Sequence, residues 1–191
     1  MQTPRDVRDP RVLRAMAHPL RLTLLDLLER RGTLTSTEAS ELTGESTGAC
    51  SFHLRQLAKY GFVEPAEARN GRERPWRRVT AGERVPHTDD PELHRTAAEV
   101  SKVVLDRTTA ELARWLDRND ALPRAWQRAS VVDDELLYLT AAELRGLSRS
   151  VTDLFAAYRS RTTSTASRPR GSRAVRVAAL LFPLVDDVER R

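Results

Sequence analysis

Between Thr35 and Gly61 the sequence places two helix beginnings and two helix ends in quick succession, and this arrangement limits the fold more than any other feature. Thr35-Ser-Thr-Glu38 has the spacing of a capping box, in which a Thr hydroxyl and a Glu carboxylate each satisfy a backbone N–H at a helix start. The helix it opens runs through Ala39 and Leu42 and meets a stop at Gly44. Ser46 then predicts a second cap, and the run GACSFHLRQLAKY sets Cys50, Leu54 and Leu57 on one helical face. Gly61 stands where a left-handed residue ends a helix. Two helices therefore meet across a very short turn that contains glycine.

Upstream, Asp9-Pro10 reads as a cap and first helical position, opening a short helix that ends near His18-Pro19. From Pro19 the residues Leu20, Leu24, Leu25, Leu27 and Leu28 predict a strongly amphipathic helix, with Gly32 as its stop. After Gly61 the period changes. Phe62-Val-Glu-Pro65 reads as a strand, Asn70-Gly71 as a hairpin turn and Trp76-Arg-Arg-Val79 as the return strand.

A polar break over 81–90 precedes Pro91, which opens a long helix carrying Leu93, Ala97, Val100, Val104, Leu112 and Leu116. Beyond Asn119, VVDDELLYL reads as a strand, and Thr140-Ala-Ala-Glu143 is a second capping box before an amphipathic helix. Residues 161–173 read as a flexible basic loop and AVRVAALLFPLV as a buried strand closed by Pro183. The expected fold class is mainly α with a β-hairpin wing. Its expected parts are a winged helix-turn-helix domain over 10–82, a dimerisation helix over 91–118 and a small helix/strand unit over 126–185.

The single cysteine, Cys50, excludes an intramolecular disulfide and fits a reducing, cytoplasmic setting; its place beside Leu54 and Leu57 marks it as core. No apolar run reaches membrane-spanning length and the first residues lack a signal-type apolar region, so the reading is a protein with no membrane partner. Lys and Arg number 32 against 27 Asp and Glu, a formal charge of +5 that permits a polyanionic partner. Residues 69–78 hold Arg69, Arg72, Arg74, Arg77 and Arg78 against Glu73 alone, so five minus one gives +4 at the hairpin. Residues 91–160 carry ten basic and eleven acidic side chains, a net of −1. The positive charge is therefore focused on one loop.

Helix, tight turn, helix and basic hairpin is a layout suited to double-stranded DNA. A helix fits the roughly 12 Å major groove, while cations on a wing meet phosphates or the minor groove. With Cys50, Leu54 and Leu57 turned inward, Ser46, Thr47, Gly48, Ser51, Phe52, Arg55, Gln56 and Lys59 become the contact residues, joined by Arg69, Arg72, Arg74 and Arg77 on the wing. Arg55 can take guanine bidentately, Gln56 adenine and Phe52 a thymine methyl, with Ser46 or Thr47 on phosphates. His53 reads as a packed, hydrogen-bonded structural histidine and His18 as part of a helix boundary.

The stretch AMAHPLRLTLLDLL followed by SFHLRQLAKYGFV resembles the arsenical-resistance-repressor (ArsR) family over about residues 10–80, and longer members with an LTAAEL helix resemble the rest more loosely. The resemblance implies a homodimeric DNA-binding repressor. Thiol-based metal sensors of that family carry paired cysteines on the third helix, and TSTEASELTG has none. His87, Asp89, Asp90 and His94 do not have a trusted ligand spacing and read as a solvated linker, so no metal or other cofactor is assigned.

A helix as long as the one expected from Leu93 to Leu116 is best explained by pairing with its twin, which would give a palindromic operator. Trp115, Trp126, Tyr138, Phe155 and Tyr158, with ALLFPLV, either form the core of the carboxy-terminal unit or line a pocket for a small organic effector. No nucleophile–base spacing, glycine-rich phosphate loop or metal motif points to an enzyme. The alternative to a regulator is an interaction or effector-binding module that keeps the fold with little sequence-specific DNA binding.

Overall fold

The computed structural model describes residues 5–67, 74–79, 83–84 and 88–185. In chain order the elements are β1 (Arg5–Asp6), α1 (Pro10–Arg14), α2 (Pro19–Arg31), β2 (Thr33–Leu34), α3 (Ser36–Thr43), α4 (Thr47–Lys59), β3 (Val63–Pro65), β4 (Trp76–Arg78), β5 (Glu83–Arg84), α5 (Pro91–Leu116), α6 (Arg124–Ala129), α7 (Ala141–Ala156) and α8 (Ser160–Thr163). They form two compact units: Met1–Glu111 with Arg159–Ala174, and Leu112–Tyr158 with Val175–Arg191. The fold is mainly helical with a small antiparallel sheet, as a winged helix-turn-helix domain requires.

The first unit is punctuated by local chemistry. Asp9 accepts the Arg11 N–H at 2.8 Å to start α1, and His18 Nδ1 accepts the Leu20 N–H at 3.2 Å to start α2, with Pro19 at its first position. Both arms of the Thr35–Glu38 capping box form, at 2.8 and 3.1 Å, and the Ser46 hydroxyl accepts the Ala49 N–H at 3.1 Å to start α4. Gly44 and Gly61 hold φ of 75° and 73°, a left-handed backbone that a side chain would strain. These turns fold α2, α3 and α4 around Leu24, Leu28, Ala39, Cys50, Leu54 and Leu57, all almost fully buried.

The sheet order is β2-β4-β3, with Leu34 opposite Trp76 and Glu64 opposite Arg77. The wing strands are one residue shorter than expected at Phe62 and at Val79, and the Asn70-Gly71 turn lies outside the described residues. β2 and the parallel pair β1–β5 were not legible: each strand is two residues long, too short to show a period, and β5 falls in the stretch read as a polar break.

The expected dimerisation helix divides along its length. On α5, Leu93, Thr96 and Val100 are buried in the core of their own unit, whereas Leu105, Leu112 and Leu116 are exposed. Arg107 fastens α5 to α2, donating to Asp26 Oδ2 at 2.9 Å and to the Leu22 carbonyl at 3.1 Å. Residues 161–173, read as a flexible loop, are instead fastened to α2. Arg168 donates to the carbonyl of Arg30 at 2.7 Å and to that of Glu29, two acceptors in the last turn of that helix.

In the second unit α6 and α7 form, α7 behind a complete Thr140–Glu143 capping box. The two strands expected at 131–139 and 174–185 do not form: neither segment belongs to a strand, and both are mostly exposed. Strand preference depends on packing against neighbouring strands, and neither segment has one.

Candidate nucleic-acid interface

Helix α4 separates its residues by depth. Cys50, Leu54 and Leu57 are fully buried, and the Cys50 thiol lies 3.6 Å from the Thr43 hydroxyl, which confirms the cysteine as core. On the outward side Ser46, Thr47, Gly48, Phe52, Arg55 and Lys59 are exposed, with Ser51 and Gln56 half-buried beside them. Phe52 is 52% exposed, a costly position for a phenyl ring that no other side chain covers fully. Arg55 Nη1 donates to Ser51 Oγ at 2.8 Å, so the guanidinium rests along the helix surface one turn from Phe52. The amino-terminal turn adds N–H groups and the positive end of the helix dipole, both suited to a phosphate.

Behind this surface His53 packs against His18, ring centroids 4.3 Å apart, and against the edge of Phe52 at 5.2 Å. Burial holds both imidazoles below the ordinary histidine range; the nearby Arg21 charge, and for His53 the His18 ring before it, push the same way, while Glu45 opposes. Both rings are therefore neutral at pH 7 and offer no charge to DNA. His53 is packed, as expected, but its Nδ1 has no hydrogen-bond partner among the described residues.

The wing is less positive than its sequence suggests. Arg78 points inward with its side chain 9% exposed, 2.9 Å from Glu83 and 3.5 Å from Glu29. Arg77 is 58% exposed and pairs with Glu64 at 2.6 Å, its strand neighbour. Arg74 is exposed, and Arg69 and Arg72 lie outside the described residues. Sequence reasoning missed the acidic partners of Arg78, and also Arg5, which donates to the Tyr60 and Gly61 carbonyls at 3.0 and 3.3 Å and lies over the Phe62 ring. The fold alone brings Glu29 to Arg78 and Arg5 to Tyr60, whereas Glu83 stands only five residues beyond Arg78, just outside the basic stretch 69–78.

Other features are plainer. A cleft of about 240 Å³ in the first unit is lined by Arg14, Glu92, Arg95, Thr96 and Glu99. Trp115, Trp126 and Phe155 are half-buried, and Tyr138 and Tyr158 exposed; none is enclosed as a pocket lining would be. Among the described residues no group of three or more His, Cys, Asp or Glu is placed to hold a metal, and no helix is long and apolar enough to cross a membrane.

Residues 16–66 match the family model described as a helix-turn-helix domain. No curated protein matches the chain. Among solved structures, a transcriptional regulator homologue from Pyrococcus horikoshii OT3 is 20% identical, with 50% of this chain and 88% of that one covered and a TM-score of 0.32. YusO from Bacillus subtilis is 16% identical over 78% and 84%, with a TM-score of 0.34, and a mutant of ZitR from Lactococcus lactis in apo form is 14% identical over 74% and 83%, also at 0.34. The domain match and the helix–turn–helix–wing geometry agree: the amino-terminal unit carries a winged helix-turn-helix domain.

Proposed function

We propose that this protein is a sequence-specific transcription regulator of the ArsR type, a cytoplasmic homodimer that represses from a palindromic operator. One observation carries the reading: the outward side of α4 gathers hydrogen-bonding side chains and an uncovered Phe52 at a helix amino terminus, while its other side is locked into the core. Arg55 and Gln56 read base edges, Phe52 packs on a thymine methyl, and Ser46, Thr47, Gly48, Ser51 and Lys59 approach the backbone. On the wing Arg74 and Arg77, with Arg69 and Arg72, contact phosphates. In a twofold dimer the two α4 helices lie about one DNA turn, roughly 34 Å, apart. Any effector is a small organic molecule or a partner protein in preference to a soft metal, since the lone buried Cys50 cannot assemble a thiolate site within the chain.

The test is selection of bound fragments from a random or genomic DNA pool with the purified protein, repeated at raised salt and with Arg55→Ala. Enrichment of a palindrome that the variant loses supports sequence readout. Salt-sensitive binding without enrichment sinks it and leaves a non-specific or protein-interaction role.

A further inference from the structure

The residues before α1 touch both of the elements that the reading above sets against DNA. At the carboxyl end of α4 the chain turns back on itself, the Gly61 N–H donating to the Ala58 carbonyl and the Phe62 N–H to that of Leu57, each at 3.0 Å. The carbonyls of Tyr60 and Gly61 are taken by a residue 55 and 56 positions away: Arg5 Nη1 donates to them at 3.0 and 3.3 Å. A cation in this place also meets the negative end of the helix dipole. The surroundings fit the guanidinium closely. Its carbon lies 5.6 Å from the centroid of the fully buried Phe62 ring, and a Cβ on Gly61, whose φ is 73°, would come within 3.2 Å of Nη1.

The same short segment reaches the wing. Arg5 and Asp6 form β1, which pairs in parallel with Glu83 and Arg84 of β5, and the next residue, Val7, is buried in the core. Glu83 in turn accepts two hydrogen bonds from Arg78 on β4. β3 and β4 are three residues long, and so short a hairpin is marginally stable by itself. Cys50, Leu54 and Leu57 already lock α4 into the core, so keeping that helix in the domain does not require Arg5. What Arg5 adds is a tie between the end of α4 and a strand partner of the wing.

We infer that Arg5 is a positioning residue for DNA reading: bonded to the end of α4 from a strand paired with β5, it fixes the wing relative to α4 so that both meet one duplex together. The inference deepens the DNA-binding reading above and rests on it. Arg5 makes no DNA contact of its own, since its guanidinium faces the two carbonyls and the Phe62 ring. Its effect on affinity comes through preorganisation, because a wing already held in place loses less freedom on binding.

The experiment compares the full-length wild type, Arg5→Ala and Leu13→Ala, the last a core variant that lowers stability while leaving Arg5 and its acceptors unchanged. Nitroxides on Thr47→Cys and Arg74→Cys report the separation of α4 and the wing by pulsed EPR without DNA, in chains diluted into unlabelled protein, Cys50 being buried. One narrow distance is expected in the wild-type and Leu13→Ala backgrounds, and a clearly broader distribution with Arg5→Ala. On the DNA fragment enriched by the selection above, or on a mixed-sequence duplex, unlabelled Arg5→Ala should bind about tenfold more weakly. Its salt slope should fall by about 2, one for each of Arg74 and Arg77, while Leu13→Ala binds as the wild type does below its lower thermal midpoint. Arg5→Gln, which keeps part of the stem but loses the charge, gives the same comparison if Arg5→Ala unfolds. An equally narrow distance in the Arg5 variant overturns the inference, and a slope lower by about 1 in that case makes Arg5 a direct phosphate contact. Equal weakening by Leu13→Ala overturns it as well, by reducing the effect to stability. A wild type that binds no duplex overturns the DNA reading and the role of Arg5 in it, even where the EPR distance broadens.

Discussion

Arg78 Nη2 donates to both carboxylate oxygens of Glu83, at 2.9 and 3.0 Å, in a place where the two side chains are only 9% and 8% exposed. This pair ties β4 to β5, and with Glu29 at 3.5 Å it also ties the wing to α2. A cation that the sequence counts with the wing's phosphate-binding charge thus belongs to the architecture instead.

Arg78 and Arg77 are therefore expected to separate stability from binding. Arg78→Ala removes the buried cation from Glu83 and Glu29 and costs about 3 kcal/mol, read as a lower urea midpoint. Arg77→Ala leaves stability within about 0.5 kcal/mol, because its pair with Glu64 is solvent-exposed. It weakens DNA binding evenly across sequences and lowers the salt slope by about 1. Equal loss of stability in both variants would contradict this division.

Gly48 lies in the first turn of α4, where an added Cβ would meet only the Ser46 hydroxyl at 3.9 Å. Gly48→Ala should raise the thermal midpoint slightly, by up to about 1 kcal/mol of stability. The same methyl should weaken operator binding if the DNA backbone approaches this turn. Unchanged affinity would remove Gly48 from the interface.

The His18–His53 pair predicts a pH dependence of definite sign. Both imidazoles lie below their ordinary range in the folded protein, chiefly through burial, so the unfolded chain binds protons first as pH falls. Their stabilising contribution is complete above about pH 6.5 and declines below it, levelling off once the folded-state values are passed. Urea midpoints between pH 7.5 and 5.5 should fall, and His53→Gln should flatten the curve. A midpoint that rises on acidification would show the sign to be wrong.

Leu54 is fully buried where α4 meets the core. Leu54→Ala should cost 2–5 kcal/mol, roughly, by cavity formation. Calorimetry would detect the loss as a marked drop in midpoint, and a drop worth less than about 1 kcal/mol would mean that the site collapses around the smaller side chain.

The helices of the first unit were legible because their signals are local. Asp9, Thr35–Glu38 and Ser46 act within three residues of themselves, and Gly32, Gly44 and Gly61 end their helices with positive φ. The outward side of α4 followed from the same periodicity. What stayed hidden depends on distant partners: β2 and β5 are two-residue strands defined only by pairing, and the inward turn of Arg78 depends on Glu29, far away in sequence. Residues 131–139 and 174–185 show the reverse error. Their composition is that of strands, but composition cannot supply the neighbour that makes a ladder.

The hold of Arg168 on the last turn of α2 joins residues 138 and 139 positions apart. On a translating ribosome adding about 5–20 residues each second, α2 emerges roughly seven to twenty-eight seconds before the residue that finishes its carboxyl end. The helix-turn-helix unit can therefore assemble early, but the end of α2 acquires this fastening only after the long stretch between Arg31 and Arg168 has followed it out of the ribosome.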